Sequence, residues 1–302
     1  MTALTRYIKG KLPGRFWVIA LPYLWLGLFF LLPFAVVLKI SVSTAIVAIP
    51  PYAPLLDWSG KFPRLDLYFD NFQYLLTDDR YAIAYFHSVR NAAVTAIACL
   101  LIGYPMAYAI ARAKPARRGL LLMLVIMPFW TSFLIRVYAW IGILKQNGLL
   151  NNFLLSLGVI HHPLEILNTQ SAVYIGMIYA YLPFMVLPLY STLEKMDLSL
   201  LEAAADLGAK PFRAFLSITL PLSLPGIIAG SLLVFIPAVG EFVIPTLLGG
   251  ANTSMIGTVL WDEFFGNRDW PVASAVAVVL VLLLVVPLML LQRAQDRRGA
   301  RL

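Results

Sequence analysis

Charge is scarce in this chain. Only 13% of its 302 residues are Asp, Glu, Lys or Arg, against about a quarter in soluble domains. That scarcity, with a mean hydropathy of +0.82, excludes an ordinary soluble fold. Cysteine is nearly absent too: Cys99 stands alone inside an apolar run, so no disulfide framework exists. The histidines are His87 and the adjacent pair His161 and His162, which lack the helical spacing of metal ligands, and no metal site is expected. A phosphate-cradling Gly-x-x-x-x-Gly-Lys-Ser/Thr loop is missing; Gly10-Lys11 and Gly60-Lys61 lack the rest of the pattern. The chain should therefore not hydrolyse ATP alone. No Gly-x-Ser-x-Gly elbow or catalytic triad is present either, so no enzyme activity and no cofactor are expected. No internal repeat or low-complexity tract occurs.

What the chain has instead is long apolar runs. Six reach the roughly 20 residues that a bilayer core demands: Phe16–Ser41, Phe86–Ala111, Gly119–Ile143, Ser171–Leu193, Leu224–Pro245 and Pro271–Gln292. The first is too long for the 7–15-residue apolar region of a signal peptide, and no small-x-small cleavage site follows promptly, so it reads as a retained anchor. The fold class expected is an all-α membrane protein of six transmembrane helices. Residues 1–15 form an N-terminal tail, 16–292 the membrane domain, and 293–302 a C-terminal tail.

The net charge of +8 would suit nucleic acid or anionic lipid on a soluble surface, but here it is sorted by loop. Arg6, Lys9, Lys11 and Arg15; Arg112, Lys114, Arg117 and Arg118; Lys195, Lys210 and Arg213; and Arg293, Arg297, Arg298 and Arg301 fall on one side. The other side holds only Lys61, Arg64, Arg80, Lys145 and Arg268. The positive-inside rule puts both termini and the loop after the fourth span in the cytoplasm. No nucleic-acid partner is expected. Outer loops carry Asp57, Asp66, Asp70, Asp78, Asp79, Glu165, Asp262, Glu263 and Asp269. They either concentrate cations at the mouth or are acids simply tolerated outside. The longest outer loop, residues 42–85, is broken early by Pro50, Pro51 and Pro54, and its Leu67–Leu76 stretch suits a short interfacial helix. It acts as a contact for an extracytoplasmic protein or as a packed lid.

Within the spans, Glu241 stands in Phe235–Pro245, between Pro237 and Pro245 and beside Gly240. A carboxylate near mid-bilayer costs about 2.5–3.5 kcal/mol on insertion scales, so it faces a cavity or a partner. Two readings stand: an anion for a cationic substrate, or a structural group that either pairs with Arg136, Arg90 or another subunit or is wet near the outer interface. Trp130, Tyr138 and Trp140 offer rings for cation–π contact along a substrate path, or an aromatic belt. Arg136 among them would repel a cation and reads as structural, pairing Glu241 or a backbone carbonyl.

The inner loop 194–222 contains Leu200-Leu201-Glu202-Ala203-Ala204-Ala205-Asp206-Leu207, a run of strong helix formers. Ser199 and Glu202 have the spacing of a capping box, and Gly208 can close the helix in a left-handed conformation. A second short helix is expected from Pro211, with Pro221 marking return to the membrane. A rigid, capped knob of this kind can carry motion from a soluble partner to the spans.

Glu202, Ala203, Ala204 and Gly208, followed by Ile218, Leu220 and Pro221, match at fixed spacing the EAA loop of ABC-importer permeases. Ala20–Tyr23, Trp130–Trp140, Phe235–Pro245 and Asn267–Ala275 resemble blocks of the polyamine (putrescine/spermidine) importer permeases, the putrescine permeases above all. The resemblance runs from Ala20 to Gln292 and implies a type I importer permease in a bacterial inner membrane. It implies as partners a second homologous permease, two ATP-binding subunits, a periplasmic binding protein and a small cationic substrate, with Glu202 through Pro221 coupling to the ATPase. Putrescine is the substrate it favours. Spermidine or ferric iron through the same architecture is the alternative, and an ATP-independent secondary transporter belongs to another class.

Overall fold

A computed structural model describes residues 14–57 and 64–299. Residues 1–13, 58–63 and 300–302, with Arg6, Lys9, Lys11, Lys61 and Arg301 of the charge count, lie outside the described residues. The chain divides into two units, one formed by the segments before Asp79 and after Trp261 and one by Asp79–Trp261.

In the first unit, α1 (Gly14–Leu26) passes through a π turn at Gly27–Leu31 into α2 (Leu32–Ser41). This span is long and apolar, and none of its membrane window is buried within the chain, which suits contact with lipid. The long loop carries a two-residue hairpin, β1 (Leu56–Asp57) with β2 (Arg64–Leu65), and then α3 (Asp70–Thr77), the short helix expected there. Asn71 fastens α3 to the end of α2, its Nδ2 donating to the carbonyls of Ser41 and Ser43 at 2.9 Å each. The last helix of the chain, called α14 below, runs Trp270–Gly299, so its backbone stays helical through most of the expected tail 293–302. Its start is held by Phe264 stacked on Trp270 at 4.8 Å, and its buried side is small: Val272, Ala273, Ser274, Ala275 and Val276.

The second unit is built on three long helices, α4 (Asp79–Arg112), α8 (Gln170–Glu194) and α11 (Leu220–Val239). Their contact faces combine small residues with buried Met and Val, the pattern that lets membrane helices approach closely. Cys99 and Ala107 of α4 are fully buried, as are Met177, Met185 and Val186 of α8 and Val234 of α11. Gly226 and Gly230 mark the closest approach, since a Cβ there would lie 2.6 Å from Thr192 Oγ1 and 2.8 Å from Met185 Sδ. Tyr104 and Ser223 join α4 to α11 by a hydroxyl–hydroxyl hydrogen bond of 2.9 Å.

Among the described residues five helices are long and apolar enough to cross a membrane, and one bent helix pair passes the same test when its two parts are taken together. The run Gly119–Ile143, expected as one span, is α5 (Pro115–Ile126), a 3-10 turn at Met127–Trp130, and α6 (Phe133–Leu144), with a 90° bend. Pro128 removes a donor, and Thr131 and Ser132 take extended conformations, so the helical ladder stops there. Between α6 and α8 lies α7 (Leu149–Ser156). The fifth span likewise ends early, at Val239, and the chain turns at Gly240–Phe242 before α12 (Val243–Leu248) and α13 (Ile256–Trp261).

Candidate functional site

The loop 194–222 folds as expected in its middle and differently at its edges. The helix α9 spans Ser199–Asp206. At its end Gly208 has φ +78°, its N–H bonds the Ala205 carbonyl at 2.8 Å, and the Ala209 N–H bonds the Ala204 carbonyl at 2.9 Å. Those paired bonds are a Schellman motif, which only a residue at ease in the left-handed region closes cheaply. The capping box is not formed. Ser199 is already helical and the cap is Asp197, whose Oδ1 accepts the Ser199 N–H at 3.0 Å. That bond holds the Asp197 carboxyl below its ordinary range. Glu202, Ala203 and Leu207 are exposed, Leu207 by 89%, while Ala204 packs inward. Phe212, at the start of α10 (Pro211–Ala214), is also largely exposed.

Pro221 does not begin a new helix. Pro211–Val239 is one helical course, with a π turn at Phe215–Thr219 just ahead of Leu220 and Pro221. The widened turn shifts the hydrogen-bond ladder, so a residue without an N–H passes without breaking the helix. On the other side of the loop, Arg118 ties the start of α5 to the end of α8 by an ion pair with Glu194 at 3.3 Å.

Glu241 lies in the break between α11 and α12 and is buried. Its Oε1 accepts the N–H groups of Val243 at 2.9 Å and Ile244 at 3.3 Å, capping α12. Its Oε2 accepts the Tyr181 hydroxyl at 2.5 Å. The carboxylate is thus held by three donors, which offsets the cost of burial. Phe242 stacks on Trp261 at 4.7 Å, and α13 closes over the turn at Gly257, where a Cβ would lie 2.4 Å from the Gly240 carbonyl oxygen. Ser88 of α4 steadies α13 by accepting the Ile256 N–H at 2.8 Å.

The pairing of Arg136 with Glu241 is not formed. No ion pair joins Glu241 to Arg136 or to Arg90 among the described residues; the carboxylate is held by Tyr181, Val243 and Ile244 instead. The Arg136 guanidinium lies instead 4.9 Å over the Phe129 ring and 5.7 Å from that of Phe133, with its Nε buried and without a partner. Trp130 is 70% exposed at the bend, and Tyr138 is exposed on α6. Trp140 packs edge-on against Tyr179 at 5.4 Å. The hydrogen bonds that hold Glu241 come from Tyr181, Val243 and Ile244, and none comes from these residues.

Several residues of this region carried no signal in the sequence. Tyr181 is one tyrosine among fourteen, and nothing marks it as the partner of a carboxylate sixty residues on. Asn168 takes φ 62°, and its N–H caps α12 at the Leu248 carbonyl, 2.9 Å away. Asn91 is fully buried with Nδ2 unpartnered, its Oδ1 accepting the Tyr174 hydroxyl at 3.1 Å. An open cleft of about 640 Å³ adjoins Asn168, lined also by Lys145, Gln146, Asn147, Glu165 and Thr169.

Residues 99–301 match the family described as "Binding-protein-dependent transport system inner membrane component". The "Spermidine/putrescine transport system permease protein PotB" of Haemophilus influenzae is 42% identical over 276 residues, covering 91% of this chain and 92% of that one. The protein of the same description from Escherichia coli K12 is 43% identical over 270 residues, covering 89% and 94%. A solved bacterial alginate ABC transporter, in complex with alginate pentasaccharide-bound periplasmic protein, superposes with a TM-score of 0.66. It covers 93% of each chain at 18% identity, a likeness of fold.

Proposed function

The chain belongs to the family of binding-protein-dependent transport system inner membrane components, among its polyamine permeases, and on that premise we propose that it moves putrescine inward in an ATP-driven importer. The observation that carries the coupling half of this reading is α9. It is a short helix, closed at Gly208, that exposes Leu207, Glu202 and the neighbouring Phe212. A compact knob with apolar side chains outward suits a cleft on a soluble partner better than it suits water. The partners proposed are two ATP-binding subunits at this loop, a second homologous permease and a periplasmic binding protein. Both termini and α9 face the cytoplasm, as the distribution of Lys and Arg favours.

In this cycle ATP binding closes the ATPase dimer, draws the two coupling helices together and turns the pore outward. The binding protein then releases a protonated diamine into the path, and hydrolysis turns the pore inward. Glu241 supplies negative charge to that path, with Trp130, Tyr138 and Trp140 as ring contacts nearer its walls. The bonds from Tyr181, Val243 and Ile244 keep the carboxylate in one place, so its attraction for a passing cation needs no rearrangement. Spermidine is the second reading, favoured by the relatives whose printed names carry both polyamines.

Uptake of labelled putrescine by cells carrying the whole system tests the proposal, with Glu202→Ala and Glu241→Gln beside the intact chain. Loss in both variants with the complex assembled is the expected result. Loss only in Glu202→Ala leaves an ABC importer whose Glu241 merely caps α12. Uptake unaffected by Glu202→Ala contradicts the coupling role, and absence of putrescine uptake in the intact system, with spermidine taken up, moves the assignment to spermidine.

A further inference from the structure

An apolar groove and a cluster of bases share the hairpin between α4 and α5. The groove, of about 340 Å³, is lined by Met106, Ala109 and Ile110 of α4 and by Leu121, Leu124 and Val125 of α5. All six side chains are apolar, and Ala109 and Leu124 are exposed. The turn that closes the hairpin carries Arg112, Lys114, Arg117 and Arg118. At 1.5 Å of rise per residue, Met106 lies roughly 9 Å along α4 from Arg112, and Val125 roughly 11 Å along α5 from Arg118. The groove therefore leads away from the basic turn over the length of several methylene groups.

The four bases are not equally engaged. Arg118 is: its Nε donates to the Ala113 carbonyl at 2.9 Å and its Nη1 pairs with Glu194. Arg112 is not. Its guanidinium folds over the Tyr108 ring at 5.2 Å, and its Nε and Nη2 are covered without a hydrogen-bond partner. Guanidinium N–H groups left so are costly and call for an acceptor. Lys114 and Arg117 beside it are exposed. A rotation of the Arg112 side chain toward them would exchange the unsatisfied edge for a planar two-oxygen acceptor, the geometry a phosphate offers.

A ligand that joins a phosphate to an alkyl chain fits both features at once. We propose that the α4–α5 hairpin binds an anionic phospholipid, its phosphate on Arg112, Lys114 and Arg117 and one acyl chain along the groove. With the orientation proposed above, the lipid belongs to the inner leaflet, and basic pockets between helices on that side take anionic headgroups. The site requires neither a particular transport substrate nor the coupling helix.

The test uses the assembled importer in nanodiscs of phosphatidylcholine with a minor share of phosphatidylglycerol. The lipid retained per complex after exchange into detergent is counted by mass spectrometry. Phosphatidylglycerol should be retained over phosphatidylcholine. Arg117→Gln, an exposed change that leaves folding alone, should weaken retention about five-fold, the effect of one surface charge. Ala109→Trp, which fills the groove, should abolish it while size exclusion shows the complex intact. Equal retention of the two lipids, or retention unchanged in both variants, overturns the proposal. Competition by glycerol phosphate as strong as by the lipid overturns the acyl site. A photoreactive residue at position 124 that cross-links to another subunit instead of lipid shows that protein covers the groove, and overturns it as well. Because lipid is read and not uptake, failure of the putrescine assignment would leave this result standing.

Discussion

Two short helices in this chain are held in opposite ways. α9 is fixed by near neighbours, with Asp197 at its start and the Gly208 turn at its end, and it buries little beyond Ala204. α12 is fixed by distant ones. Glu241 caps its start under the Tyr181 hydroxyl, Asn168 closes its end, and Ile244 and Leu248 fill the hollow at Gly176. A helix whose side chains face outward has few packing contacts to hold its shape, so local capping is what remains available. Glu241, Ile244 and Leu248 of the α12 region are buried in the chain, so the surrounding residues supply the partners for its ends.

The largest effect should come from removing the distant clamp. Glu241→Ala leaves the Tyr181 hydroxyl and the N–H groups of Val243 and Ile244 without their acceptor, at about 1–3 kcal/mol for each buried group. Loss of several kcal/mol is expected, read as a fall in thermal stability of the purified complex. Glu241→Gln keeps an acceptor for the N–H groups and should cost far less, so stability separates the cap from the charge while uptake reads the charge alone. Equal stability of the Ala and Gln variants would break the comparison.

The next effect belongs to the lid over that turn. A Cβ at position 257 meets the carbonyl oxygens of Gly240 at 2.4 Å and Glu241 at 2.8 Å, and backbone cannot yield as a side chain does. Gly257→Ala should cost about 1–3 kcal/mol as overpacking does. It should loosen the Phe242–Trp261 stack, visible as a change in tryptophan fluorescence. A variant as stable as the parent would mean that α13 is free to lift from Glu241.

How much of each region the sequence discloses follows the same division. The helix α9 is legible because its determinants are contiguous: helix formers from Leu200 and a Gly at the closing position. Only its cap is misassigned, since Asp197 and Ser199 are both competent acceptors and two residues apart. The spans are legible from apolar length, but the 90° bend is not, because the run Gly119–Ile143 is apolar on both sides of Thr131 and Ser132. That Glu241 needs partners is legible from the cost of a carboxylate in an apolar run. Its partners are not, since Tyr181 and Gly257 are brought to it by packing of α8, α11 and α13. Arg136 was the obvious counter-ion by charge, yet Phe129 and Phe133 lie beside it in the fold.

A third, smaller effect sharpens the local side. Gly208→Ala forces a Cβ into the left-handed region at φ +78°, at a cost of about 1–2 kcal/mol. Nothing crowds that position, so backbone strain is the whole effect. Gly208→Asn should cost less, because its side chain tolerates that region. The expected outcome is weaker binding of the ATPase subunit, Ala more than Asn, with the stability of the membrane helices unchanged. If both variants bind the ATPase as the parent does, the closed end of α9 is not what docks.

The smallest effect is electrostatic and sits at the other end of α9. The Asp197 carboxyl is held below its ordinary value of 3.8 because its charged form accepts the Ser199 N–H. A depressed group contributes its stability above the unfolded value and loses it as pH falls through the folded one. The cap is therefore constant from neutral pH down to about 3.8 and fails only below it. Hydrogen exchange at the Ser199 amide, corrected for its intrinsic pH dependence, should show steady protection over that range and a fall beneath it. Asp197→Ala should show low protection with no such step. Because Asp197 is exposed, salt should leave the short bond in place while trimming any longer-range attraction. Protection that rises on acidification would mean that the neutral carboxyl is the better cap, and the local account of α9 would fail at its first residue.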